Sequence, residues 1–215
     1  MRQRYYQNQN RWKRNLLLSI MSERKIAISG TIGSGKSTVL NYLKTKGYKV
    51  FSFDEYNAFL LKEGNEGYLK VRETFPEVFN NNELDKKKLS SIIFNSETEK
   101  NKLENIMHPL IIKEMLRQTQ ENDFIICEVP LLFEQNLEKY FDVSILVVCD
   151  EQAAIERLRN RGFNESQAKE RIRNQLSVSE KKQRADEIIY NNRSLEDLYL
   201  QVDKVINKYA GQRSI

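Results

Sequence analysis

An eight-residue glycine-rich stretch constrains this sequence more than any other feature. Residues 30–37 read Gly-Thr-Ile-Gly-Ser-Gly-Lys-Ser and match the pattern G-x-x-x-x-G-K-[ST]. They follow a short apolar run, Lys25 to Ser29, and precede a helical pattern from about Lys36 to Lys46 that Gly47 ends. In such a loop, consecutive backbone N–H groups and the positive end of the helix hold phosphate oxygens. The stretch therefore predicts a strand, a phosphate-binding loop and a helix.

The motif assigns roles to individual residues. Lys36 is expected to reach the β and γ phosphates of a nucleotide, and Ser37 to ligate Mg²⁺. A GTP-binding protein would also read guanine with N-K-x-D after a strand, but the nearest string, residues 101–104, ends in glutamate within a helical pattern. ATP is therefore the expected nucleotide. The residues predicted to contact it are Gly33, Ser34, Gly35, Lys36 and Ser37 of the motif and the adjacent Thr38.

Further apolar runs predict the rest of the fold. They indicate four more strands: Tyr48 to Phe53, Phe124 to Val129, Val143 to Cys149 and Glu187 to Tyr190. Nearly continuous apolar strands separated by helices are typical of a parallel sheet with helices on both faces, so the predicted class is α/β. Residues 65–123 show no strand pattern. They predict helices, interrupted at Pro76 and again at Pro109.

The predicted organisation is one domain over residues 21–210. Its core comprises about 24–64 and 122–210, with a helical substrate lobe at about 65–121 and a charged helical lid at about 157–184. In open parallel sheets, ligands bind beyond the carboxyl ends of the strands, where both helical regions are expected to lie.

The formal net charge of +5 is concentrated at the start of the chain. Residues 1–20 contain bases and no acid, and without them bases and acids balance, so we do not expect a nucleic-acid partner. Three interpretations of residues 1–20 stay open: a flexible extension, an artefact of the assigned start with Met21 as the true initiator, or a basic arm that touches RNA or membrane. No apolar run approaches the ~20 residues that span a bilayer. Cys127 and Cys149 lie in apolar runs, which suits reduced thiols and a cytoplasmic location.

Two carboxylates follow predicted strands. Asp54 comes after the second strand, at the same sheet edge as the loop, and could orient an acceptor hydroxyl and take its proton. The alternative is that Asp54 only caps the next helix. Glu128 ends the third strand, where a carboxylate can hold a metal through water. The alternative is an ordinary polar residue at a strand end.

The remaining candidates are less specific. Arg161 precedes Gly162 in a strongly basic segment, where a mobile arginine could neutralise charge on a transferred phosphoryl group. The alternative is a solvated helical surface. A lone histidine such as His108 is usually structural. The string Pro130-Leu131-Leu132-Phe133-Glu134 would, by itself, indicate packing.

Together these residues resemble the dephospho-CoA kinase family, within the P-loop nucleoside and nucleotide kinase group. The resemblance extends from about Lys25 to Tyr209. The most specific strings are His108-Pro109-Leu110-Ile111 and Pro130-Leu131-Leu132-Phe133-Glu134. The other matching pieces, in order, are the loop at 30–38, Asp54, Glu156-Arg157-Leu158 with Arg161, Arg171-Ile172 with Gln175, Lys181, and 185–189 with Asn191.

The resemblance implies a P-loop NTPase fold with a helical substrate-binding insertion and a helical lid. It implies transfer of the ATP γ-phosphate to the ribose 3′-hydroxyl of dephospho-CoA. Asp54 would then orient or deprotonate the acceptor, and Arg161 would be the lid cation. By the same resemblance, the acceptor contacts would include His108, Pro130 and Leu131, and Asn191 would lie on the adenine side.

The sequence departs from the family pattern at three places. Ser52 stands where the family often has a first aspartate of Asp-x-Asp, Glu128 stands where aspartate is common, and Arg193 replaces a usual glycine. Two other functions stay open: another small-molecule P-loop kinase for a nucleoside or nucleotide, and an ATP-dependent nucleic-acid-binding switch that uses the basic arm. The sequence leaves the oligomeric state open.

Overall fold

The computed structural model describes residues 24–122 and 124–210. The predictions for residues 1–20 fall outside the described residues. Two 3₁₀ turns, Pro76–Val78 and Leu137–Tyr140, accompany the regular elements. In chain order these elements are β1 (Arg24–Gly30), α1 (Lys36–Thr45), β2 (Val50–Ser52), α2 (Phe53–Leu60), α3 (Glu66–Thr74), β3 (Phe79–Asn80), β4 (Glu83–Leu84), α4 (Lys86–Asn95), α5 (Glu97–Gln120), β5 (Phe124–Glu128), β6 (Val143–Val148), α6 (Glu151–Arg159), α7 (Glu165–Arg173), α8 (Val178–Arg184), β7 (Glu187–Tyr190) and α9 (Leu195–Asn207).

Five of the strands form one parallel sheet, which confirms the predicted α/β class. The strand order is β2-β5-β1-β6-β7. Strand β1 lies at the centre, with Ile26 opposite Ile126 of β5 and Val143 of β6. Because all strands run the same way, the loop after β1 meets the ends of β2 and β5 at one edge. Ser52 and Glu128 are direct partners there.

The sheet separates two apolar cores. Alternate residues of a strand point to opposite faces, so Ile26 and Ile28 pack with α1 and α9, while Ala27 packs on the other side. That other side is covered by the helices between β2 and β5, whose buried residues include Val71 and Met115. No helix among the described residues is long and apolar enough to cross a membrane.

The second strand is shorter than predicted, and Phe53 does not belong to it. Strand β2 ends at Ser52, whose hydroxyl accepts a hydrogen bond from the Glu55 N–H at 3.3 Å and so caps α2. Phe53 is buried as the first residue of that helix. The apolar run that predicted the strand therefore extends past the end of β2 into the first residue of α2. The alternative in which Asp54 is the cap is wrong, because Ser52 makes that contact.

Residues 65–123 contain a short hairpin that the sequence did not indicate. Strands β3 and β4 pair antiparallel around Asn81 and Asn82, which have positive φ angles of 47° and 72°. Asparagine tolerates this conformation, as a tight two-residue turn requires. Each strand has two residues, which is too short to produce an alternating pattern.

The predicted break at Pro109 is also wrong. Helix α5 continues through Pro109 for its full 24 residues. A proline inside a helix removes one backbone hydrogen bond and costs about 3 kcal/mol. The buried side chains on both sides of it, including Met107, Leu110, Ile111 and Met115, pack into the core and offset that cost.

Candidate active site

The glycine-rich loop curls between β1 and α1 at the centre of the sheet. Gly33 and Gly35 have φ angles of 77° and 87°, in the left-handed region. A Cβ atom on Gly35 would lie 2.1 Å from the Asn191 side-chain nitrogen, so this position requires glycine for space as well as for conformation. Lys36 and Ser37 begin α1, and their N–H groups have no intrahelical partner. The loop therefore presents backbone donors beside the positive end of a helix.

Side chains behind the loop hold its carbonyl groups. Arg157 of α6 donates from Nη1 to the carbonyls of Gly33 and Ser34 at 3.1 and 3.2 Å, and from Nη2 to that of Asn191 at 3.0 Å. Asn191 is buried and donates from Nδ2 to the Ser34 carbonyl at 2.8 Å. With its carbonyls turned toward these donors, the loop directs N–H groups to the opposite side. Asn191, predicted on the adenine side, thus contacts the loop itself.

Lys36 and Glu128 form an ion pair at the end of β5. Lys36 Nζ lies 2.8 Å from Glu128 Oε1. Burial by itself raises the pKa of Glu128, but the hydrogen bond and charge of Lys36, with a hydrogen bond from Ser52, outweigh burial and leave that pKa below its ordinary value. Glu128 is therefore ionised. It holds the lysine ammonium group at the mouth of the loop.

Asp54 lies in the first turn of α2, close to this pair. Its carboxylate is accessible, but the protein packed around it partly desolvates it and raises its pKa. The charge of Lys36 lowers the pKa of Asp54 in part, and the charge of Glu128 raises it further. A carboxylate with a raised pKa is a stronger proton acceptor than a fully solvated aspartate.

A cavity of about 440 Å³ opens beside Asp54, between the sheet edge and the helices of residues 65–121. All four predicted acceptor-binding residues line it: Asp54, His108, Pro130 and Leu131. Its other walls are mostly apolar and include residues that the sequence analysis did not single out, among them Phe94, Leu103 and Gln135. In sequence, Phe94 ends an apolar helical stretch and is indistinguishable from a core residue, yet it is 83% exposed.

His108 lies on α5, facing this cavity. Burial lowers the pKa of His108, and Glu104 and Gln135 counteract that effect only in part. The ring is therefore neutral at pH 7 and can offer a hydrogen-bond donor and an acceptor. The Gln135 side chain also donates to Glu104 Oε1 at 2.8 Å, so these polar groups form one patch in an apolar wall.

Arg161 lies in the exposed turn after α6, next to Gly162 with its φ of 92°. It does not line the cavity described above, and its predicted role stays a prediction. The arginine that contacts the loop is Arg157, one helical turn earlier. Arg157 is three residues after Ala154, whose backbone packs against Gly33, but the sequence cannot show which face of α6 meets the loop.

Comparison with known proteins agrees with this geometry. A family model for dephospho-CoA kinase matches residues 24–197. A dephospho-CoA kinase of Oceanobacillus iheyensis is 36% identical over 194 residues, which cover 86% of this chain and 96% of that protein. Among solved structures, TT1252 from Thermus thermophilus superposes with a TM-score of 0.78 at 29% identity, covering 88% of this chain and 99% of that one. A dephospho-CoA kinase structure from Campylobacter jejuni superposes with a TM-score of 0.58 at 26% identity, covering 87% of this chain and 98% of that one. The resemblance drawn from the motifs is confirmed, and the chain belongs to the dephospho-CoA kinase family.

Proposed function

We propose that this protein transfers the γ-phosphate of ATP to the ribose 3′-hydroxyl of dephospho-CoA, with Asp54 as the group that orients and deprotonates the acceptor. The observation that supports this most directly is the position of Asp54. It lines the cavity, and its pKa responds to Lys36 at the mouth of the phosphate-binding loop. One carboxylate thus lies between the donor site and the acceptor site.

The proposed step balances as an in-line displacement. The acceptor oxygen bonds to the γ-phosphorus while the bond from that phosphorus to the bridging oxygen breaks, and ADP leaves. The hydroxyl proton passes to the Asp54 carboxylate. The ammonium group of Lys36 and the N–H groups of the loop offset negative charge on the phosphate oxygens. The apolar cavity wall limits the water that could otherwise accept the phosphoryl group.

Magnesium fits the residues at the loop. Within residues 24–122 and 124–210, no group of three or more His, Cys, Asp or Glu side chains could hold a metal ion. The fit therefore depends on Ser37, whose exposed hydroxyl at the start of α1 can ligate Mg²⁺ together with nucleotide phosphates and water, the arrangement this ion prefers. When bound, Mg²⁺ supplies charge neutralisation at the phosphates. Glu128 is engaged by Lys36 and would act on the metal through water.

The roles of the flanking regions follow from their positions. Residues 65–121 would form the acceptor lobe, because α4 and α5 supply much of the cavity wall. Residues 157–184 would form the lid, with Arg161 contacting the phosphates after closure about the Gly162 turn and Asn191 supporting the adenine side. The two cysteines of the described residues are unpaired, which supports a cytoplasmic location.

The acceptor is tested by competition. The protein is incubated with ATP, Mg²⁺ and dephospho-CoA, with adenosine, CMP and AMP present as competing acceptors. We expect CoA and ADP as the products, with the other acceptors left unphosphorylated. Preferred phosphorylation of a nucleotide would show that dephospho-CoA is not the acceptor, although the protein would still be a kinase.

The exposed ring of Phe94 is predicted to contact the acceptor. Replacing Phe94 with alanine should raise the KM for dephospho-CoA about 10-fold or more. A large apolar side chain that the bound substrate covers contributes about 1.5 kcal/mol or more to the free energy of binding. The KM for ATP should not change. Steady-state kinetics with each substrate varied in turn measures both constants.

Phe59→Ala is the matched control, since Phe59 is also an exposed phenylalanine, at 46%, but does not line the cavity formed by the described residues. The Phe59 variant should keep both KM values. Equal effects of the two substitutions would show that Phe94 does not contact the acceptor.

A further inference from the structure

The connection between α7 and α8 contacts both halves of the proposed site. Gln175 Oε1 accepts a hydrogen bond from the backbone N–H of Ile32, inside the phosphate-binding loop, at 3.0 Å. The next residue, Leu176, donates its backbone N–H to Glu134 Oε1 at 3.3 Å. Glu134 belongs to the turn whose Pro130, Leu131 and Gln135 line the acceptor cavity. Two consecutive residues therefore link the loop to the cavity wall.

A buried ion pair fixes this connection. Lys181 of α8 is completely buried, and its Nζ lies 2.5 Å from Glu134 Oε1. A buried charge is tolerated only with a partner, and removal of one partner is strongly destabilising. Arg184, one turn further along α8, donates to Glu138 and Asn136 of the same region. Helix α8 is therefore tied to the turn at several points, and Gln175 starts from a fixed backbone.

The hydrogen bond to Ile32 bears on the shape of the loop. A backbone N–H at the start of a phosphate-binding loop can turn toward the phosphates or away from them. The Gln175 carbonyl holds the Ile32 N–H on the lid side, while Arg157 and Asn191 hold carbonyls of Gly33 and Ser34. All three contacts restrict the loop before nucleotide binds, which lowers the entropy cost of binding.

We infer that Gln175 is a positioning residue for the nucleotide, which shapes the phosphate-binding loop through Ile32 and is itself placed by the buried Glu134–Lys181 pair. The inference rests on the proposed function only for the identity of the nucleotide. It assigns to the base of the lid a role before closure, in addition to any contact that Arg161 makes afterwards.

The test is nucleotide binding by calorimetry with ADP and Mg²⁺, which does not depend on the acceptor. Gln175→Met keeps the length of the side chain and loses the carbonyl, and Gln175→Asn keeps a carbonyl that is one methylene too short. Both should raise the Kd for ADP about 5-fold to 10-fold, the scale of one hydrogen bond. The KM for ATP should rise similarly, with kcat and the melting temperature nearly unchanged.

Gln183→Met is the matched control, because Gln183 is an exposed glutamine on α8. It should leave the Kd for ADP unchanged. An unchanged Kd in both Gln175 variants, or an equal rise in the Gln183 variant, would overturn the inference. A lower melting temperature with an unchanged Kd would reduce Gln175 to a structural contact and overturn it as well.

A double-mutant background tests the role of the buried Glu134–Lys181 ion pair. Glu134→Met together with Lys181→Met replaces the buried pair by apolar side chains, a change that proteins often tolerate. In that background, Gln175→Met should raise the Kd for ADP by less than it does in the unaltered protein, because Gln175 is no longer held in place. Additive effects would show that the pair does not act through Gln175.

Discussion

Replacing Asp54 with asparagine is expected to lower kcat by about 10²-fold to 10⁴-fold, the range for a positioned general base. Asparagine keeps the shape of the side chain and a carbonyl oxygen, but it cannot accept the proton of the acceptor hydroxyl. Nucleotide binding should change little, because the loop and Lys36, not Asp54, are the groups proposed to hold the phosphates. Steady-state kinetics and calorimetry with ADP measure the two quantities separately.

The control for Asp54 is its neighbour Glu55, an exposed acid in the same turn of α2. Glu55→Gln removes the same charge and should keep kcat. If Asp54→Asn also retains kcat, Asp54 is not the base, and the acceptor must lose its proton elsewhere.

The pH profile gives an independent check of Asp54. The base must be ionised, so kcat/KM should fall as pH drops through the pKa of Asp54. Burial raises that pKa above the ordinary value. The acidic limb of the profile, where kcat/KM falls, should therefore lie at higher pH than for an exposed aspartate. The limb should disappear from the residual activity of the Asn variant.

Replacing Lys36 with methionine is expected to lower kcat by about 10²-fold to 10³-fold, the scale for loss of one donor that stabilises developing charge. Methionine keeps most of the length of the chain and removes the ammonium group. The substitution also leaves Glu128 without the partner that holds its pKa down, so this carboxyl should titrate at higher pH. Kinetics measures the first effect and NMR titration of the carboxyl group the second.

The two predictions for Lys36 and Asp54 are linked. The charge of Lys36 lowers the pKa of Asp54, so Lys36→Met should shift the acidic limb of kcat/KM to still higher pH. Lys44→Met, an exposed substitution in the last turn of α1, should keep kcat and move the limb far less. A shift of the limb in the opposite direction would contradict the arrangement of charges described above.

Parts of the fold were predictable because short-range physics specifies them. The glycine-rich loop needs residues without Cβ atoms at left-handed positions, and Gly33 and Gly35 provide them. The five strands of the sheet were predicted from continuous apolar runs, with small errors at their ends. Asn164 and Ser194 cap the helices that follow them with their own side chains, which is also a local interaction.

Other parts could not be read from local patterns. Proline ordinarily ends a helix, and only packing on both sides of Pro109 keeps α5 continuous. Ser52 rather than Asp54 caps α2, because the chain leaves the sheet one residue earlier than its apolar run suggests. The exposed ring of Phe94 has the sequence pattern of a core residue. At Pro109, packing outweighed a local preference. At Ser52 and Phe94, the apolar pattern did not show where the strand ends or which apolar side chain stays exposed.

By itself, the sequence determined the motifs: a phosphate-binding loop, an acid after the second strand, and two strings that identify the family. The tertiary structure decided which groups meet. It brought Asp54, His108, Pro130 and Leu131 to one cavity and chose Arg157 and Gln175 from a segment rich in polar side chains as the ones that contact the loop. The physical reason is that a motif is encoded in local conformation and residue type. The contacts that α6 and the connection between α7 and α8 make with the loop join residues more than 100 positions apart, and only packing determines them.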